Sequence, residues 1–215
     1  MRAALVAAVV ALALASTGTA AARDRIRLTP GGNLAAAAVV LQRSDLGNTA
    51  GWSGGPASPQ LSSWWFLACR YKPKQSDLTM VGAAESLWSS PGVQLETTVQ
   101  VLKTPAMVRR DWTRAVVAPQ VTPCLRAAAR VTGSSARFVS LRRIGFPRVG
   151  DRTRVFRIRI DVATPGKTVP AFRDLVVITR GRTEITLALV APLDASAGLR
   201  PIEIRLARLL ASRAV

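Results

Sequence analysis

The sequence predicts an α+β fold: a largely antiparallel six-stranded sheet flanked by helices in an α/β/α sandwich. Two observations carry this expectation. Segments of strict apolar/polar alternation come in hairpin-like runs, and segments of helical period stand before, between and after them. No internal repeat or linker composition divides the chain, so residues 34–215 are read as one domain, preceded by a leader (1–22) and an extended arm (23–33).

At the N-terminus Met1-Arg2 is a short positive region, Ala3–Ala15 is unbroken apolar sequence, and Ser16–Ala22 is small and polar. That order is a secretory signal peptide with cleavage near Ala22. The apolar run is too short to serve as a membrane-spanning helix of about 20 residues. The polar arm ends at Pro30-Gly31-Gly32. Leu34–Arg43 then places Leu34, Ala37, Ala38 and Leu41 on one helical face and stops at Ser44-Asp45-Leu46-Gly47. Gly51–Ser63, rich in Gly, Pro and Ser, is expected to be a loop leading into Trp64-Trp65-Phe66-Leu67 and Cys69.

Leu78–Trp88 and Val93–Leu102 are predicted strands joined through Ser89-Ser90-Pro91-Gly92. In the second, Val93, Leu95, Val99 and Val101 alternate with Gln94, Glu96, Thr98 and Gln100, the pattern of a sheet with one wetter face. Thr104-Pro105 is a helix start, Thr as N-cap and Pro in the first turn. Val108, Trp112, Ala115 and Val116 follow at helical spacing. After Pro119 and Pro123, Cys124, Leu125, Ala128 and Val131 form a second apolar face. Four more strands are expected at Arg137–Ile144, Val155–Val162, Phe172–Arg180 and Thr183–Val190, the last two paired across Gly181. A final helix carries Leu199, Ile202, Leu206, Leu209 and Leu210 as its stripe, with Pro201 in its first turn.

Composition excludes several classes of chemistry. The 215 residues hold 30 Lys and Arg against 12 Asp and Glu, a net charge of +18, and no His. Without imidazole there is no Ser-His-Asp or Cys-His catalysis, and most zinc sites are excluded. Only Lys72, Lys74, Lys103 and Lys167 are lysines. Abundant Arg, Ala and Val read as the coding bias of a GC-rich genome, which weakens the charge as a sign of a polyanion partner. Two cysteines in an exported chain pair most simply with each other, giving a Cys69–Cys124 disulfide. The alternative is two free thiols, one of them nucleophilic, but no His is present to activate it.

The run Val39–Trp52 (VVLQRSDLGNTAGW), Cys69 followed by Ser76-Asp77-Leu78-Thr79, and Ala84-Glu85-Ser86 resemble a family of secreted actinobacterial proteins of unknown function. The strand order is similar to the extracellular sensor domains of mycobacterial Ser/Thr kinases and to PsbP-like α/β/α sandwiches. The resemblance spans most of Val39–Leu210. It implies an exported, non-catalytic role and supplies no catalytic residues.

Two short motifs are set aside. Gly51-Trp52-Ser53-Gly54-Gly55 matches G-x-S-x-G, but a nucleophile elbow needs strand and helix flanks and a downstream His. Pro165-Gly166-Lys167-Thr168 resembles the end of a phosphate-binding loop, yet Asp161 stands where its first Gly belongs and no helix follows. The candidate site is therefore a binding groove made by Trp52, Trp64, Trp65 and Phe66, with Arg157 and Arg159 on one strand face as its rim. Its expected ligand is a small apolar or anionic molecule or an envelope polymer. Phe156 and Phe172 fall in the apolar set, which disfavours nucleic acid. No metal or cofactor is expected. The chain reads as an extracytoplasmic, non-enzymatic binding or sensor-like module. The rivals are a carboxylate-dependent hydrolase and a basic protein that binds envelope polymers or lipid surfaces.

Overall fold

The structure, a computed structural model, describes residues 26–47, 51–59, 61, 66, 69–130 and 136–214. Its strands are β1 (Ser53–Ala57), β2 (Met80–Ser90), β3 (Val93–Leu102), β4 (Ala136–Arg143), β5 (Arg152–Thr164), β6 (Lys167–Arg180) and β7 (Thr183–Pro192). They form one sheet in the order β1-β2-β3-β7-β6-β5-β4, every neighbouring pair antiparallel. The helices are α1 (Pro30–Val39), α2 (Pro105–Asp111) continuing into a π-helical turn (Trp112–Val117), α3 (Val121–Arg130) and α4 (Ser196–Arg213).

Alternation along the strands divides the core into two layers. Val155, Phe172, Val176, Ile178, Ile185, Leu187 and Leu189 point to one face and pack with Ala36, Val39, Leu206 and Leu210 of α1 and α4. Phe156, Ile158, Leu175, Val177 and Ala188 point to the other and pack with Trp112, Val116, Cys124 and Leu125. Central strand β6 serves both layers, so Leu175–Ile178 is buried without interruption. Cys69 and Cys124 form the expected disulfide, with Cα atoms 5.1 Å apart, on the α3 face. Closing its 55-residue separation contributes about 4 kcal/mol in the chain-entropy account.

Four expectations are corrected. The sheet has seven strands, because β1 (SGGPA) lies in the predicted loop. An edge strand can carry Pro56, since only one side of it pairs. Gly54 has φ +126°, and a Cβ there would stand 2.0 Å from the Leu87 carbonyl oxygen. The predicted arm extends only to Thr29. Arg27 and Thr29 donate to the carbonyls of Met80 and Val81, and Thr29 then caps α1 from Pro30, accepting from Gly32 N at 3.0 Å. α1 is also rotated from its predicted orientation: Gly32, Ala36 and Val39 face the sheet, while Leu34, Ala37 and Ala38 face solvent. Finally, Pro201 lies inside α4 rather than in its first turn, and Glu203 occupies the core stripe while Ile202 is exposed.

The rotation of α1 has a backbone cause. A Cβ on Gly32 would lie 2.0 Å from the Val81 carbonyl oxygen, and one on Gly82 would lie 2.0 Å from the Gly32 carbonyl oxygen. Helix and strand thus touch backbone to backbone, beside the register shift between Met80 and Gly82. Gly82→Ala should lower the chemical-denaturation midpoint, a loss of about 1–3 kcal/mol typical of overpacking. Gly31→Ala, with nothing within 4 Å of its Cβ, should leave it unchanged or slightly raised.

Candidate functional site

Strand parity directs Asp174 of β6 toward α4, between Phe172 and Val176, where it is fully buried. Arg157 of β5 stands directly opposite it across the ladder. Its guanidinium grips the carboxylate with both arms, Nε to Oδ1 at 2.7 Å and Nη2 to Oδ2 at 2.6 Å. Such a fork offsets much of the desolvation cost that an isolated buried carboxylate would carry. The same guanidinium lies 4.5 Å from the centroid of the Phe172 ring.

α4 lowers Glu203 onto this pair. Its Oε2 accepts from Arg200 Nη1 at 2.7 Å, while Oε1, buried, has no hydrogen-bond partner among the described residues. Arg200 also donates to the Gly145 carbonyl and lies 4.4 Å over the Phe146 ring, which ties the β4–β5 connection to the helix. Burial, first, and then the nearby Asp174 charge push the Glu203 carboxyl up to about 7, against the lowering influence of Arg200 and Arg157. A carboxyl poised there exchanges its proton near neutral pH.

The surface beside this network is basic. α1 packs over β2 and β3 and α4 over β6 and β7, so among the described residues neither helix packs extensively on β4 or the outer half of β5. On this open face Arg159 pairs with Ser140, and Arg142 with Arg157, two cations opposed across the ladder. One flank of α4, formed by Ala197, Arg200, Pro201, Ile204, Arg205 and Arg208, makes an open groove of about 590 Å³. Pro201 has no N–H to give the Ala197 carbonyl, which therefore lacks its helical donor. Arg142, Arg159 and Arg208 have no acidic partner among the described residues.

The sequence-predicted site residues are not gathered in one place. Trp52 is half-buried against the α1/α4 layer. Phe66 is buried in the opposite layer, edge-on to Tyr71 at 5.9 Å. Trp64 and Trp65 lie outside the described residues. Arg157 and Arg159 do share a strand face, as expected, but the Arg157 side chain is only 12% exposed and is committed to Asp174. Arg154, on the other parity, is turned to the α3 face, where it donates to the Val116 carbonyl at 2.9 Å. There its charge is disfavoured by burial and by Arg143.

Sequence reasoning missed Glu203 and Asp174. The signal for Glu203 was available: Leu199, Glu203, Leu206 and Leu210 follow helical spacing, with the carboxylate at a core position. A second acidic contact lies on the opposite face, where Asp111 hydrogen-bonds Glu184 of β7 and burial raises the Glu184 carboxyl well above its ordinary range. One proton shared between the two removes most of their repulsion.

No family model matches the chain, and no curated protein matches it. Among solved structures it is similar to an uncharacterized protein of Mycobacterium smegmatis, the Rv0999 ortholog, at 12% identity and a TM-score of 0.43. That overlap covers 81% of this chain and 96% of the other. It is also similar to Mycobacterium tuberculosis LpqN, described as involved in cell envelope biogenesis, at 10% identity and a TM-score of 0.31, covering 75% and 88%. Neither of these two is described as a kinase sensor domain. At such scores they carry no argument about the site.

The buried network sets two expectations. Glu203 is protonated more readily folded than unfolded, so its contribution to stability is complete below pH 4.5 and is lost as pH rises through about 7. Denaturation midpoints of the wild type should fall across that window by roughly 3 kcal/mol more than those of Glu203→Gln. Arg157→Met should cost about 3–5 kcal/mol by stranding Asp174, and Arg157→Met/Asp174→Leu should recover most of it.

Proposed function

We propose that the chain is an exported, non-enzymatic binding module of the cell envelope, holding an anionic ligand on the basic surface between α4 and the open face of β4 and β5. The observation that carries this reading is the set of cations Arg142, Arg159 and Arg208, without an acidic partner among the described residues, beside a buried network that fixes the surface beneath them. Guanidinium groups without internal partners keep their donors available for phosphate or carboxylate. The anionic alternative is favoured over the apolar one because Trp52 and Phe66 face opposite layers of the core. The leader and the disulfide support an extracytoplasmic setting.

The test uses a soluble polyphosphate and polyglutamate as probes, with binding followed by calorimetry at low and high salt. Arg142→Gln/Arg159→Gln/Arg208→Gln should weaken binding about a hundredfold, at roughly 1 kcal/mol for each cation, and flatten the salt dependence. Equal affinity for wild type and triple variant, or binding that ignores salt, would remove this surface as the site.

A further inference from the structure

α1 differs from the rest of the surface. In a chain with 30 basic residues its sequence, PGGNLAAAAV, holds no charge, although Gly31, Leu34, Ala37 and Ala38 face outward. Leu34 is 72% exposed, more than any other large apolar residue described. Leu28, just before the helix, is 40% exposed, and Ile202 of α4 is 41% exposed. Ile202 lies about three turns before Arg213, whose guanidinium grips Asp45, so it is on the flank of α4 turned toward the end of α1. Asn33 is the one polar side chain of α1, and it accepts from Ala83 N at 3.3 Å, so the rest of the outward side is aliphatic and has no apolar partner among the described residues.

The charges around this face identify the occupant. Exposed Arg27 and Arg43 bracket α1. Asp45, in the turn after α1, is buried and gripped by Arg213 through both oxygens at 2.6 and 2.8 Å, so its charge is already answered. A second copy of a chain carrying +18 would be repelled from such a border. A bilayer with anionic headgroups satisfies both parts, arginines at the phosphates and aliphatic side chains at the acyl boundary. Among the described residues no helix is long and apolar enough to cross a membrane, and α1 has 10 residues, so the contact is interfacial.

We infer that the outer surface of α1 and the adjoining flank of α4 dock on anionic lipid bilayers, with Leu34, Leu28 and Ile202 inserting at the headgroup boundary. This interaction is separate from the ligand surface proposed above. It shares the same side of the sheet, however, so docking turns that surface toward the membrane.

Co-sedimentation of residues 23–215, the chain without its apolar leader sequence, with vesicles tests this, using phosphatidylcholine alone and phosphatidylcholine mixed with phosphatidylglycerol. The wild type should bind the mixed vesicles preferentially. Leu34→Glu/Ile202→Glu, both at exposed positions and therefore compatible with an unchanged fold by circular dichroism, should bind them about tenfold or more weakly. The triple variant Arg142→Gln/Arg159→Gln/Arg208→Gln should retain most vesicle binding, which separates this surface from the ligand site. Equal capture of wild type and Leu34→Glu/Ile202→Glu would place any vesicle binding elsewhere in the chain and overturn the inference. So would equal binding to neutral vesicles, or a wild-type dimer in sedimentation velocity that Leu34→Glu dissociates.

Discussion

Asp174 is a carboxylate with no access to water on an interior strand of a seven-stranded sheet, and the arrangement around it follows from the need to satisfy its charge. Arg157 must occupy the directly opposed position on β5, which fixes the register of that ladder as firmly as the apolar alternation does. With the fork complete, a third charge over it is costly, so Glu203 on the helix above holds its proton into the neutral range. Arg200 completes the stack by bridging Glu203 and the β4–β5 connection. Helix, strands and loop are held in a single mutual position by four ionisable groups. Replacement of the whole set by well-packed aliphatic residues would be no loss in stability terms, so what the set contributes is a fixed mutual position.

Four other acids follow the same economy. Asp45 joins the turn after α1 to the end of α4, Asp77 joins the segment before β2 to Arg110 and Arg114, Asp161 joins β5 to β4, and Glu96 joins β3 to β6. With 12 acids for 30 bases, carboxylates that clamp elements together are not available to neutralise the exterior. The positive field outside is the complement of internal pairing. The scarcity of acids explains why several arginines have no acidic partner among the described residues.

Most of the fold was legible because sheet and helix periods differ and the core demands both. Six of the seven strands alternate or run apolar, Thr104-Pro105 announces α2, and the opposite parities of Arg154 and Arg157 place them on opposite faces. The errors arose where backbone contact replaced side-chain packing. β1 has no alternation to read, because its Gly/Pro sequence answers to an edge position. The start and orientation of α1 were hidden because Gly31-Gly32 reads as a terminator, although Thr29-Pro30 repeats the signal recognised at Thr104-Pro105. The site was the least legible. Aromatic residues close together in sequence were expected to be close in space, yet Trp52 and Phe66 lie on opposite sides of the sheet. Asp174 and Glu203 join only through tertiary packing.

The glycine-to-glycine seam beneath α1 also sets an order of assembly. A helix of 10 residues beginning Pro-Gly-Gly is marginal in isolation. What stabilises it is a surface that exists only once β2 has paired with β3 and exposed the Gly82 notch. α1 therefore condenses onto a finished sheet and is among the first elements released from it. α1, although it precedes every strand in sequence, is thus among the last elements to fold.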